Sequence, residues 1–246
     1  MDGEAWRAID AVEGWFTHES FVLWNALLER QRHSGALMEI GVFQGRSASA
    51  LERQLREGER LILCDPLLEH GIPAALGGTP PERLVVLPQS SSTLSGAPEL
   101  AEHRGRVRFL SVDGDHSGVA VYNDLKLADE LLAPGGVVAL DDFFSPQYPQ
   151  VTAATYRYLD RHPYSFVMML VGFHKAYLCR PAAYLAWQSF IVQGLAEQME
   201  AAGVAVSLCK TSSPEDNLTF GLYPLREDLG PRNGRFRLIG ETNLGQ

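Results

Sequence analysis

The sequence predicts an α/β chain with a doubly wound, mainly parallel sheet, an antiparallel edge hairpin and a C-terminal appendage. Three observations predict it. Short apolar runs alternate with helical patterns from residue 37 onward. A glycine turn, Gly41 and Gly45, follows the first of these runs. Successive runs then end in polar or acidic residues, along the edge where an open parallel sheet binds its ligands.

Residues 4–32 carry two helical patterns, one through Trp6, Ile9, Val12 and Trp15, the other through Phe21, Val22, Trp24, Leu27 and Leu28. Thr17 to Ser20 can cap the second. Strand 37–41 leads through the glycine turn into helix 47–57. Strand 60–65 ends in Asp65 before a Pro- and Gly-rich loop that runs to residue 81. Strand 83–87 leads into Gln89-Ser90-Ser91 and a helix near 93–103. Strand 107–112 ends at Asp113. Helix 118–132 stops at Pro134-Gly135-Gly136, and strand 137–141 ends in Asp141-Asp142. Helix 149–162 precedes two close strands, 164–171 and 175–179, joined as a hairpin by Gly172-Phe173-His174. Past Pro181 come a long helix, 182–202, two short strands, 204–210 and 217–223, around the polar turn Ser212–Asp216, and a polar tail, 230–246. The expected organisation is an N-terminal helical lid, 1–35, a ligand-binding domain, 36–180, and an appendage, 181–246.

Composition narrows the function. The 246 residues carry a net charge of −9, which argues against a broad nucleic-acid surface. No apolar run reaches about 18 residues, so no membrane helix is expected. The acidic start, Met1-Asp2-Gly3-Glu4, is not a signal peptide. Cys64, Cys179 and Cys209 lack metal-site spacing and read as buried reduced thiols, as in a cytoplasmic protein.

The candidate site residues follow the strand ends. The turn Glu39-Ile40-Gly41-Val42-Phe43-Gln44-Gly45-Arg46-Ser47 brings backbone N–H groups to a nucleotide-like ligand. Its glycines are four apart, unlike a dinucleotide fingerprint or a P-loop. The Asp65 carboxylate can accept from both ribose hydroxyls, and Ser90 and Ser91 can meet an adenine edge. If strands four and five are neighbours, Asp113, Asp141 and Asp142 offer three carboxylates to one Mg²⁺, Mn²⁺ or Ca²⁺. His116, three residues after Asp113, can act there as a general base. Asp115 reads as a turn residue, Asp124 as a solvated helix position, and His174 with Lys175 as an exposed hairpin tip. Trp15 reads as core or as part of a lid. Phe143, Phe144 and Tyr148 can form an apolar wall. The face of helix 182–202 bearing Tyr184, Trp187, Ile191, Leu195 and Met199 fits either a homodimer contact or a cover for the sheet.

Glu39-x-Gly41-x-x-x-Gly45 resembles motif I of class I S-adenosylmethionine-dependent methyltransferases. Asp113-Gly114-Asp115-His116-Ser117, the run Leu131 to Asp142, and Glu13-Gly14-Trp15 resemble the small bacterial family that includes macrolide sugar O-methyltransferases. The resemblance covers roughly residues 10–180 and implies a Rossmann-like fold. It implies that Glu39, Gly41 and Gly45 hold the methionine end of S-adenosylmethionine, that Asp65 holds the ribose, that Ser90 and Ser91 lie near the adenine, and that Ser47 and Asp113 also belong to the cofactor site. In metal-dependent members, residues matching Asp113, Asp141 and Asp142 bind Mg²⁺, and the residue matching His116 is the base. The spacing of 28 residues from Asp113 to Asp141 also resembles catechol-type enzymes, which carry Lys where this chain has His116 and Asn where it has Asp142. The expected function is Mg²⁺-dependent O-methylation of a small-molecule hydroxyl. A metal-independent methyltransferase, an oxygenase-associated protein of the same fold and a non-catalytic S-adenosylmethionine-binding protein remain open. A nicotinamide dehydrogenase lacks its third glycine.

Overall fold

The computed structural model describes residues 3–210 and 218–225. The expected turn at Ser212–Asp216 and the tail 230–246 lie outside these residues. Two helices, α1 (Gly3–Asp10) and α2 (His18–Arg30), precede the sheet. Thr17 caps α2, its hydroxyl accepting from the Ser20 N–H at 3.2 Å.

Nine strands form one sheet. In chain order they are β1 (Ala36–Ile40), β2 (Leu61–Cys64), β3 (Leu84–Leu87), β4 (Val107–Val112), β5 (Leu132–Leu140), β6 (Val167–Gly172), β7 (Lys175–Cys179), β8 (Val206–Lys210) and β9 (Phe220–Pro224). Their order across the sheet is β3-β2-β1-β4-β5-β7-β6-β9-β8. The first five are mutually parallel, as the alternation of strand and helix predicts. Strand β7 is antiparallel to both β5 and β6. The predicted hairpin is thus present but is not the edge: β9 pairs in parallel with β6, and β8 closes the sheet beyond it.

Side-chain alternation assigns the two faces. Leu37, Leu61, Leu63 and Phe109 pack on one face under α2 and α3 (Arg46–Glu52). Met38, Ile40, Ile62, Leu110 and Val138 pack on the other, against α4 (Gly118–Leu131) and α5 (Pro149–Arg161). Between β3 and β4 the expected α-helix is replaced by 3-10 turns at Ser91–Thr93 and Pro98–His103, because Gly96 and Pro98 interrupt the pattern. The long C-terminal helix is broken into α6 (Tyr184–Phe190), a π turn at Ile191–Leu195 that contains Gly194, and α7 (Ala196–Ala201). Its apolar face, Tyr184, Trp187, Ile191, Leu195 and Met199, is buried in the chain's own core and covers the sheet.

Far from the ligand edge, at the start of β4, Arg108 is buried in a polar staple. Its guanidinium donates to both oxygens of Glu59, at 2.9 and 2.7 Å, to Gln31 Oε1 and to the Gln54 carbonyl. Burial opposes ionisation of Glu59, but these donors hold its carboxyl below the usual range.

Candidate active site

The carboxyl ends of β1, β2, β4 and β5 open into one cavity of about 720 Å³, a size suited to a cofactor-sized ligand. Register brings the strand ends together: Ile40 lies beside Cys64 and Val112, and Val112 beside Leu140. Gly41 makes the closest approach. It sits at φ +85°, and a Cβ there would lie 1.9 Å from the Asp113 carbonyl oxygen, so only glycine lets the turn pass the end of β4.

Gly41, Ser47, Asp65, Ser90, Ser91, Asp113, His116, Asp141 and Asp142 all line this cavity. Gly45 does not. It starts α3 at φ +82°, facing Pro73 behind the turn. Glu39 does not line it either. It is solvent-excluded beneath the floor, and neither carboxylate oxygen has a hydrogen-bond partner. Burial pushes Glu39 up to about 8, although the nearby Ser47 hydroxyl pulls the other way. A direct grip on the ligand by Glu39 or Gly45 is therefore not what the geometry provides; both shape the turn from behind.

Asp65 is also used differently from the expectation. One carboxylate oxygen accepts from the Val42 and Phe43 N–H groups, at 2.8 and 3.0 Å, and the other from Leu67 N–H at 2.8 Å. A carboxylate offers about four acceptor sites, so one remains for a ribose hydroxyl rather than two. Asp65 organises the glycine turn before it meets any ligand.

The acidic cluster lies across the cavity. The His116 Nε2 atom stands 3.4 Å from Asp113 and 3.2 Å from Asp142, and its ring stacks on Tyr148 with centroids 4.5 Å apart. The Asp113 carboxylate beside it raises the His116 pKa. Asp113 is itself raised to about 7, by its depth in the cleft and then by the charge of Asp141. Asp115 accepts from the Ser117 N–H, as a turn residue does.

Lys175 corrects the sequence reading. It is 6% exposed, not a solvated hairpin tip, and its ammonium is bonded to Asp141. Burial opposes this charge, yet Asp141 and Asp113 hold the Lys175 pKa up. Burial opposes ionisation of Asp141 too, but Lys175 keeps that carboxyl below its ordinary range. The ammonium also lies over the rings of Phe16 and Trp24, 5.9 and 6.0 Å from their centroids. Strand alternation was the available signal, since Lys175 shares a face with Tyr177 and Cys179, both core residues.

Backbone strain gathers at the same place. Among the described residues, five non-glycine positions have positive φ: Phe43, Asp142, Phe144, Phe173 and His174. All but Phe144 line the cavity. Phe173 and His174 form a two-residue hairpin turn that usually selects Asn-Gly. Their His174 carbonyl accepts from Phe143 N–H at 2.9 Å, tying the hairpin tip to the end of β5. Each left-handed non-glycine residue costs about 1–2 kcal/mol, a concentration expected at a working site.

The N-terminal segment contributes Glu13 to Thr17 to the cavity lining. Arg46, at the start of α3, donates to the carbonyls of Val12 and Gly14 and pairs with Asp10. This fastens the α1–α2 loop over the turn. Trp15 is 85% exposed there, its ring 5.6 Å from that of Phe43. Of the expected apolar wall, Tyr148 lines the cavity, Phe143 is core and Phe144 is exposed.

The chemistry of the cluster bears on a metal. The three carboxylates are hard oxygen donors suited to Mg²⁺. Among the described residues, however, no three acidic, His or Cys side chains stand at ligating spacing around one point. His116 and Lys175 hold the carboxylates instead. The donor set fits a divalent cation in kind, with one Asp141 oxygen already committed. No helix among the described residues is long and apolar enough to cross a membrane.

A family model described as a methyltransferase domain matches residues 38–143, from β1 to just past the end of β5. Solved structures of the same fold are similar. The apo structure of CalS11, a TDP-rhamnose 3′-O-methyltransferase of calicheamicin biosynthesis, aligns with a TM-score of 0.52 at 17% identity, covering 67% of this chain and 81% of that one. TomG, an O-methyltransferase from Streptomyces achromogenes involved in tomaymycin synthesis and solved with S-adenosylmethionine, aligns at 0.51 and 18%, covering 71% and 85%. MycE, a methyltransferase of the mycinamycin pathway solved with Mg and S-adenosylhomocysteine, aligns at 0.52 and 13%, covering 72% and 53%. Comparison with curated proteins gave no match.

Proposed function

We propose that the chain is a class I, S-adenosylmethionine-dependent methyltransferase that methylates a hydroxyl oxygen of a small molecule, with His116 as general base; the match of residues 38–143 to a methyltransferase-domain model supports the reading. One observation carries this reading. The His116 imidazole, set between Asp113 and Asp142, lies on the same cavity as the glycine turn and Asp65. The O-methyltransferases among the structural neighbours support an oxygen acceptor.

The residues divide the work. The turn around Gly41 and the helix start at Ser47 present N–H groups to the methionine end of the cofactor. Asp65 meets the ribose with its remaining acceptor site, and Ser90 and Ser91 meet the adenine. Tyr148 fixes the plane of the His116 ring, and Asp113 and Asp142 orient it. The imidazole takes the hydroxyl proton as the oxygen attacks the sulfonium methyl in line. Sulfonium charge is lost in this step, so alignment in a closed cavity is the main contribution, worth up to about 7–11 kcal/mol in favourable cases.

Asp113, Asp141 and Asp142 would hold Mg²⁺, which supplies a Lewis acid that lowers the pKa of the acceptor hydroxyl. A second reading dispenses with the metal, and the Lys175 ammonium on Asp141 favours it by already offsetting part of the negative charge. Methylation of a hydroxyl panel with radiolabelled S-adenosylmethionine tests the main proposal. His116→Ala should keep cofactor affinity and lose turnover by about 100-fold or more. Unchanged turnover would remove His116 from the role. Loss of activity in EDTA with recovery in Mg²⁺ selects the metal-assisted form; full activity in EDTA selects the other.

A further inference from the structure

The strand order β3-β2-β1-β4-β5-β7-β6 divides the cavity into two halves. The groups assigned to the cofactor follow β1, β2 and β3, on one side of β4. On the other side the cavity is lined by the hairpin tip Phe173-His174, between β6 and β7. Proton transfer to His116 gives this tip no task.

The tip is nevertheless costly to hold. Gly172 pairs with Lys175, so the turn has two residues, Phe173 at φ +53° and His174 at φ +62°. Asn and Gly fit such a turn, and bulkier side chains are strained in it. Three contacts enforce it. The Phe173 ring packs against the core. The His174 carbonyl accepts from the Phe143 N–H at 2.9 Å. The following residue, Lys175, is bonded to Asp141. Asp142, which precedes Phe143, is left-handed as well, at φ +52°. Strain that several contacts hold in place on a cavity wall points to a function for the side chains it presents. The two side chains differ. Phe173 is half-buried and anchors the turn, whereas His174 is exposed and lines the cavity.

We infer that His174 is a specificity-determining residue for the methyl acceptor, its imidazole binding a second hydroxyl remote from the one that is methylated. The inference rests on the O-methyltransferase reading and names the acceptor class it takes. A neutral imidazole both donates and accepts, and so does a hydroxyl. Asp113, Asp141 and Asp142 line the same cavity and disfavour an anionic group there, which leaves a neutral hydroxyl as the matching partner. The ties to Phe143 and Asp141 fix the distance between His174 and the acidic cluster, so the tip measures the acceptor from the reacting end.

The hydroxyl panel is therefore read in pairs that differ by one hydroxyl remote from the methylated one, such as hydroxytyrosol and ethylcatechol. With saturating S-adenosylmethionine, the full wild-type chain should favour the member with the extra hydroxyl by about five- to tenfold in kcat/KM, carried by KM, the effect of one hydrogen bond. His174→Gly should bring that ratio to within about twofold. His174→Asn tolerates the left-handed turn, keeps a donor and an acceptor, and should restore most of the ratio. His174→Gly should also hold or raise the Tm, by up to about 4 °C, because glycine is unstrained there. Its affinity for S-adenosylhomocysteine in calorimetry should match that of the wild type. Equal use of both members by the wild-type chain overturns the inference, as does a ratio that survives His174→Gly. A Tm lowered by the glycine substitution also overturns it, since that marks a purely structural turn. Binding of S-adenosylhomocysteine with no transfer to any hydroxyl of the panel overturns instead the O-methylation reading beneath it.

Discussion

Replacing Asp65 separates a residue that holds a ligand from one that builds the site. Asp65→Ala removes acceptors for three backbone N–H groups. The Val42 bond is buried and charge-assisted, worth about 1.5–3 kcal/mol. The Phe43 and Leu67 bonds are partly buried, and water from the cavity can replace them, so each is worth about 0.5–1.5 kcal/mol. The expected destabilisation is about 3–5 kcal/mol, or a fall in Tm of roughly 6–20 °C for a chain of this size. Asp65→Asn keeps one acceptor oxygen but places an NH₂ group near the Leu67 N–H, so about half the loss is expected. The assay is thermal melting by circular dichroism without ligand, paired with titration of S-adenosylhomocysteine. An alanine variant that melts like the wild type and loses only ligand affinity would refute the scaffold role.

The pH dependence of turnover follows from His116, whose pKa is raised by Asp113. A base must be neutral, so activity should rise with pH up to a limb above the ordinary histidine value, and His116→Ala should abolish that limb; a limb at or below that value would contradict the assignment. Glu39→Gln tests the buried carboxyl beneath the turn. Because the folded pKa is raised to about 8, the stability Glu39 contributes is present below its unfolded value and lost as pH rises through about 8, so the glutamine variant should lose that slope in melts across pH 5–9. Parallel wild-type and variant curves would show that Glu39 ionises freely. Arg108→Met leaves Glu59 buried without its ion pair and should cost about 3–5 kcal/mol in denaturant unfolding. Since the Glu59 pKa is depressed, the stability it contributes is present above its unfolded value and should fall away as pH drops through the folded value; a variant within 1 kcal/mol of wild type, by order of magnitude, would make the staple dispensable.

Much of the site was legible in the sequence because parallel sheets put their chemistry at strand ends. Asp65, Ser91, Asp113 and Asp141 each follow an apolar run, and adjacency of β4 and β5 brings Asp113 toward Asp141 and Asp142. At two positions local polarity does not mean exposure. Lys175 and Asp124 are charged, but each occupies a position whose period faces the core. Glu39 shows the converse: it stands near the end of β1, beside the glycine turn, yet its side chain lies under the floor rather than in the cavity. The C-terminal strands carried no motif, and only the structure shows them extending the same sheet.

The sequence by itself determined the α/β order, the glycine turn and the row of polar strand ends, since these depend on periodicity and on residue chemistry within a few positions. Tertiary structure decided which charges meet. Lys175 reaches Asp141 across the β5–β7 pairing, and Arg46 holds the α1–α2 loop through the Gly14 carbonyl, 32 residues away. Such contacts join residues far apart in the chain, so their energies depend on register and packing that no local pattern encodes.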